Sequence, residues 1–173
     1  MIVAKEKLKS NIAEYILYMW QVEDIIRACN FDIKIIEKSI IAQMKLERLV
    51  AEETRIWYED LAERMDQEGI KAKGHLGFVN QKIDELQLYH NKLIEDDQKY
   101  KELFNWAKSG IDDLALKSKM DNKSVIMICF TGLYGLLVLR LRKKVISEET
   151  SHAISLISNM IAYLTARYMK QSR

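Results

Sequence analysis

The stretch Asn11–Arg27, NIAEYILYMWQVEDIIR, decides the fold class of this chain. Its aliphatic and aromatic residues lie on nearly every side of a helix, yet Glu14, Gln21 and Glu23 interrupt them. A helix that is apolar all round is normally surrounded by other helices. The stretch therefore predicts an all-α fold in which this segment runs through a bundle.

The composition of the whole chain supports the same fold class. The 173 residues include no proline and only six glycines, which favours long helices over a β-fold rich in tight turns. No segment shows the alternating pattern of a strand. The length fits one domain. We therefore predict a single domain, residues 1–173, built as an all-α bundle of six or seven helices.

Apolar residues at helical spacing divide the chain into seven predicted segments. Asn11 and Asp32 have the side chains of N-terminal caps, and Ser147 opens the last helix. The pattern leaves open whether the second and third segments form one bent helix. A glycine-containing loop at 68–77 and a break at 120–124 interrupt the pattern. The predicted segments are Asn11–Cys29, Ile33–Met44, Leu46–Met65, Phe78–Ile94, Gln98–Lys119, Val125–Lys143 and a helix from Ser147 onward.

The charge balance and the cysteines restrict the class of protein. With 27 basic and 25 acidic residues the formal charge is +2, so we predict no nucleic-acid partner. Cys29 and Cys129 lie in apolar helical contexts without metal-like spacing, which indicates reduced, buried thiols and a cytoplasmic protein. The N-terminal MIVAKEKLKS has no apolar core of signal-peptide length.

The most hydrophobic run is Val125–Leu139. A membrane-spanning helix needs about twenty apolar residues, and this run is shorter. We therefore predict a buried core helix and no transmembrane segment. Basic residues follow the run and suit the C-terminal end of a helix. They are Arg140, Arg142, Lys143 and Lys144.

Polar residues within the apolar helices are the candidate ligand-binding groups. Glu14, Tyr18 and Gln21 share one narrow face of the first predicted helix, and His90 falls within the apolar stripe of the fourth. Buried polar groups must find partners. Two interpretations stay open, a paired network that fixes helix register and a ligand site formed by these four residues.

The loop at 68–77 is a candidate anion-binding site. It places Lys71, Lys73 and His75 beside flexible glycines, just before a helix N-terminus. It lacks the Gly-Lys-Ser/Thr ending of a phosphate-binding P-loop. The alternative is a plain connection between helices.

No catalytic residue, metal site or cofactor is predicted. Glu149 and His152 have the spacing of a di-iron ligand motif, but the sequence has no second copy of that motif. No serine or cysteine occupies a recognisable nucleophile elbow.

Three stretches together resemble a known family: NIAEYILYMWQVEDIIRA at 11–28, EGIKAKGHL at 68–76 and LYGLLVLRLRKKVISEET at 133–150. They resemble an uncharacterised bacterial family of small all-helical proteins, classed as a domain of unknown function. The resemblance spans nearly the whole chain. It implies a bacterial, single-domain, all-α cytoplasmic protein and transfers no catalytic residue, cofactor or partner.

Three hypotheses for the function follow. The first is a non-catalytic protein that acts through protein–protein contacts as a homo-oligomer, a dimer, because two helices are apolar nearly all round. The second is a small-molecule binder or enzyme with a pocket lined by Glu14, Tyr18 and Gln21. The third is peripheral membrane association through the apolar run and its basic end.

Overall fold

A computed structural model describes residues 2–119 and 124–171 of the chain. Of the predicted break at 120–124, only Ser124 falls within the described residues. This part of the chain contains eight α-helices, one 3-10 turn at Ile41–Met44 and no strand. The all-α prediction is confirmed, with eight helices in place of six or seven. The helices are α1 (Ile2–Ser10), α2 (Ile12–Ala28), α3 (Ile33–Ser39), α4 (Arg48–Gln67), α5 (Gly77–Asp96), α6 (Gln98–Ser118), α7 (Val125–Leu141) and α8 (Glu148–Gln171).

The difference in helix number arises at the N-terminus. The first helix predicted from the sequence begins at Asn11. The structure forms α1 before that residue, and only Ala4 of α1 is buried. The helix ends at Ser10, and the Asn11 side chain begins the next one by accepting a hydrogen bond from the Ala13 amide, at 3.1 Å. The predicted cap at Asn11 is therefore confirmed.

The open question about the second and third predicted segments is also answered. They are separate, because α3 ends at Ser39 and a 3-10 turn follows. Lys45 then adopts a left-handed conformation, with φ of 50°, before α4 begins at Arg48. A left-handed residue cannot continue a right-handed helix, so the chain changes direction there.

Contacts between Cα atoms divide the chain into two compact units, each as far as the described residues extend. The first unit comprises Met1–Ser10 and Glu14–Gln81, and the second comprises Asn11–Ala13 and Lys82–Arg173. The boundary falls within α5. The single domain at 1–173 stays a prediction.

In the first unit, α3, the 3-10 turn and α4 contact one another. Asp32 caps α3 as predicted, since its carboxylate accepts a hydrogen bond from the Lys34 amide at 2.8 Å. On α4, Tyr58, Leu61 and Met65 are buried on one face. Leu49 lies on the opposite side and is 80 % exposed. Leu49 therefore does not belong to the buried face of α4.

In the second unit, α6, α7 and α8 pack against one another, and α6 with α8 form the most extensive pair. Gly110 of α6 lies so close to Ala153 of α8 that a Cβ at Gly110 would be 3.1 Å from the Ala153 Cβ. The part of α5 in this unit joins the bundle, because the Gln87 side chain accepts a hydrogen bond from the Ile126 amide of α7. The predicted stripe of α5 is confirmed as buried: Val79, Ile83, Leu86, His90 and Leu93.

Candidate functional site

The three polar residues of the predicted α2 face differ in their surroundings. Glu14 is exposed, and its carboxylate forms an ion pair with the Lys7 ammonium of α1 at 2.6 Å. Tyr18 and Gln21 are half-buried. Burial raises the pKa of the Tyr18 hydroxyl, so this group stays protonated at neutral pH. These residues belong to the first unit and His90 to the second, and their grouping as one ligand site stays a prediction.

His90 is buried among aromatic rings. Its Nδ1 lies 2.6 Å from the Tyr100 hydroxyl oxygen, and its ring meets those of Tyr100 and Phe104 edge to face. Burial lowers the pKa of His90 to about 4. The imidazole is therefore neutral at pH 7 and accepts the hydrogen bond of the phenol, whose own pKa is raised by burial. His90 is therefore a packed histidine whose Nδ1 is hydrogen-bonded to Tyr100.

The three predicted anion-binding residues lie in the loop between α4 and α5, and each has different surroundings. Lys71 forms an ion pair with Asp66 at 2.8 Å, and its ammonium also lies over the Phe31 ring. Lys73 is exposed and, within the described residues, makes no ion pair. The His75 ring stacks on the Trp20 indole, with centroids 3.9 Å apart. Anion binding by Lys71, Lys73 and His75 stays a prediction.

Glu23 holds this loop against α2. Its carboxylate is fully buried, 2.6 Å from the Nδ1 atom of His75, and it also accepts a hydrogen bond from the Leu76 amide at 3.0 Å. Arg27, one turn further along α2, lies 4.0 Å from the same carboxylate and donates hydrogen bonds to the carbonyl oxygens of Ile70 and Gly74. Sequence spacing indicates the Glu23–Arg27 pair but not His75, which follows Glu23 by 52 positions.

The second half of α7 departs from the predicted buried core helix. In the first half, Ile126, Ile128, Cys129, Phe130 and Gly132 are buried. From residue 133 to residue 141 every residue is half-buried or exposed, although all except Gly135 and Arg140 have large apolar or aromatic side chains. We call residues 133–141 the α7 face. A further exposed apolar residue follows this face, because Val145 is 99 % exposed.

Gly135 lies within the α7 face. A Cβ placed at this glycine would meet nothing within 4 Å, so the packing of the chain itself does not require a glycine there. Glycine inside a helix destabilises it by about 1 kcal/mol relative to alanine. An exposed glycine in an apolar surface is the type of residue that lets a second helix approach closely.

The remaining candidates are surface groups. Glu149 and His152 are both exposed near the start of α8. No group of three or more potential metal-ligating side chains occurs in the described part of the chain. Within the same residues, none of the helices is both long enough and apolar enough to cross a membrane.

Comparisons with known proteins give a family but no activity. No curated protein and no solved structure matches this chain. One family model matches residues 1–173, which confirms the resemblance to a domain of unknown function. The chain therefore belongs to the family described as Domain of unknown function (DUF4924).

Proposed function

We propose that this chain is a non-catalytic protein of the bacterial cytoplasm that acts through protein–protein contacts as a homodimer. The α7 face carries this proposal. Its side chains Leu139 and Leu141 are exposed, and the other large apolar residues of the face are half-buried. Exposed apolar patches mark interaction sites in folded proteins. The free, buried thiols of Cys29 and Cys129 support the cytoplasmic location. The near balance of charges supports a partner other than nucleic acid.

The charges at the end of α7 favour a second copy in antiparallel orientation. The face itself carries one charge, Arg140, and Arg142, Lys143 and Lys144 follow it. Crossing two α7 helices antiparallel at Gly135 separates the two Arg140 side chains by about 15 Å along the axis, at 1.5 Å per residue. That distance exceeds the Debye length of about 8 Å at physiological salt, so the repulsion is screened. A parallel pair would place the basic ends side by side.

Sedimentation equilibrium of the wild type and two variants tests the proposal. Leu139→Glu places a charge in the α7 face, and Gly135→Leu fills the open position. Leu116→Glu is the matched control, because Leu116 is 70 % exposed on α6, outside the face. We expect a concentration-dependent dimer for the wild type and the control, and at least tenfold weaker association for both face variants.

A wild type that stays monomeric at 100 µM, or face variants that dimerise like the control, would contradict the dimer. Co-sedimentation with phosphatidylglycerol vesicles distinguishes the membrane hypothesis. A monomer that binds these vesicles through its exposed Leu141 and Val145 and the neighbouring cations would assign the same surface to peripheral membrane association.

A further inference from the structure

A cavity of about 190 Å³ lies within the first unit, independent of the α7 face. Helices α1, α2 and α4 and the first turn of α5 contribute to its lining. Its walls include three aromatic side chains, Tyr15, Trp57 and Phe78, together with smaller apolar residues. Trp57 and Phe78 are only half-buried, so part of their apolar surface is accessible from the cavity.

The size of the cavity limits the ligand to about one ring. An engineered apolar cavity of about 150 Å³ in another protein holds benzene. Flat aromatic walls favour a planar guest, because offset and edge-to-face ring contacts are stronger than contacts of equal area with aliphatic groups. A six-membered ring with one small substituent fits this volume.

The charged residues of the lining determine the sign of that substituent. Lys5, Arg64 and Asp60 line the cavity, and Asp60 is already paired, because it accepts a hydrogen bond from the Nε of Arg64 at 2.9 Å. This is the one hydrogen bond of Arg64 within the described residues, so its two terminal nitrogens keep their donors. Lys5 makes no ion pair in that part of the chain. The lining therefore has an excess of positive charge.

Tyr15 adds a neutral donor. The residue is only 7 % exposed, and its hydroxyl makes no hydrogen bond with the described residues. It is also not among the fully enclosed polar atoms that lack a partner, so it opens on accessible space. Burial, and next the charge of Glu23, raise the pKa of Tyr15, which keeps its proton available for donation.

We propose that this cavity binds a small aromatic carboxylate, with the ring between Tyr15, Trp57 and Phe78 and the carboxylate facing Lys5 and Arg64. Arginine matches a carboxylate with two parallel hydrogen bonds, and lysine adds a point charge. Ligands of about ten non-hydrogen atoms bind weakly, so the dissociation constant for the simplest member of the class is on the order of 1 mM.

Titration with sodium benzoate, followed by the ¹⁵N–¹H signals of the tryptophan indoles, tests this site. Trp57 lines the cavity, whereas Trp106 is 61 % exposed on α6 and serves as the internal control. Benzylamine and benzyl alcohol carry the same ring with a positive or a neutral substituent. We expect the Trp57 signal to shift and saturate with benzoate. The affinity for benzylamine should be at least tenfold lower, and the Trp106 signal should stay unchanged with every probe.

The double variant Lys5→Gln/Arg64→Gln separates charge recognition from ring recognition. We expect it to lower the affinity for benzoate at least tenfold and to change the affinity for benzyl alcohol by no more than twofold. Lys9→Gln is the matched control, since Lys9 is an exposed lysine of α1 outside the lining. No shift of Trp57 at 20 mM benzoate would overturn the proposal. Equal binding of all three probes, or no effect of the double variant, would also overturn it.

Discussion

At the scale of single residues, two buried polar side chains of this chain have specific partners. His90 pairs with Tyr100, and Glu23 with His75 and the Leu76 amide. A buried polar group stabilises a fold only when its hydrogen bonds are satisfied, and it is costly when they are not. Substitutions that remove one partner of these contacts are therefore expected to lower the stability of their unit.

His90 makes the stability of the second unit depend on pH. In the unfolded chain its pKa is the ordinary 6.5, and burial lowers it to about 4 in the folded state. Between these values the unfolded chain binds a proton that the folded chain does not. The free energy of unfolding therefore falls as the pH drops from about 6.5 to 4, by about 3 kcal/mol, and this contribution then levels off.

Urea denaturation at several pH values measures the His90 effect. The variant His90→Gln keeps a polar side chain beside Tyr100 but does not titrate in this window. We expect its free energy of unfolding to vary less than that of the wild type between pH 6.5 and 4. Parallel pH profiles for the two proteins would show that His90 is not the group responsible.

Glu23 is expected to be the most sensitive acidic residue of the first unit. Glu23→Ala leaves the Leu76 amide without its acceptor and removes the partner of His75, so we expect a loss of about 2–4 kcal/mol in the free energy of unfolding. Glu23→Gln keeps an acceptor for Leu76 and should lose less. Glu63→Ala, an exposed position on α4, is the control and should change stability by no more than about 0.5 kcal/mol. A Glu23→Ala variant as stable as this control would show that the contacts to Leu76 and His75 are energetically negligible.

At the scale of the helices, Gly110 of α6 and Gly132 of α7 lie at close helix contacts, whereas Gly135 of α7 does not. Gly110 permits the close approach of α6 and α8, whereas Gly135 has open space around it. In α7, a Cβ at Gly132 would lie 2.5 Å from Leu114 Cδ1 and 3.2 Å from Ile154 Cδ1. Such contacts fix where helices pack, because interiors have little free volume. The effect of a Gly→Ala substitution on the free energy of unfolding is therefore expected to have opposite signs at the two kinds of position.

Gly110→Ala and Gly135→Ala form a matched pair. The new methyl at position 110 meets the Cβ of Ala153, which cannot move without its helix, so we expect a loss of about 1–2 kcal/mol. At position 135 the gain in helix propensity is unopposed within one chain, and we expect a gain of about 0.5–1 kcal/mol. Chemical denaturation in dilute protein measures both. A gain at position 110, or a loss at position 135, would contradict the helix packing described for these sites.

The sequence predicts the helix caps and stripes well, because these depend on residues within one or two turns. Asn11 and Asp32 cap helices as predicted, and the α5 stripe is buried. The break after α3 cannot be predicted in this way, because the left-handed residue there is Lys45 and not a glycine. The chain also uses Lys119 and Lys143 in left-handed conformations after helices, so the ordinary glycine signal is missing at these ends.

The candidate sites are less predictable than the helices, because their residues are distant in sequence. Glu23 meets His75 across 52 positions, and the aromatic walls of the cavity come from α2, α4 and α5. Helical periodicity shows which residues share one face of one helix, but not which faces meet. It indicates that α7 is apolar all round without indicating that the fully buried residues are confined to its first half.

At the scale of the whole molecule, dimerisation through the α7 face would make the stability of the protein depend on its concentration. A partner that binds only the folded chain stabilises it by mass action. For the proposed homodimer, the midpoint of thermal unfolding should rise with the concentration of the wild type. The midpoint of Leu139→Glu should be nearly independent of concentration, because its dimer is weakened. Calorimetric scans over a hundredfold range of concentration measure this, and a wild-type midpoint that stays constant would contradict the dimer.

The partial exposure of the second half of α7 also has a consequence for the protein in a cell. A monomer exposes apolar side chains at the end of α7, including Leu139 and Leu141, of the kind that chaperones and proteases recognise, whereas the proposed dimer would bury them. Newly made chains are then vulnerable until they meet one another, and chains made in small amounts are removed faster than chains made in large amounts. On the proposed dimer, the cellular level of the protein depends more than proportionally on its rate of synthesis, through the exposure of residues 133–141.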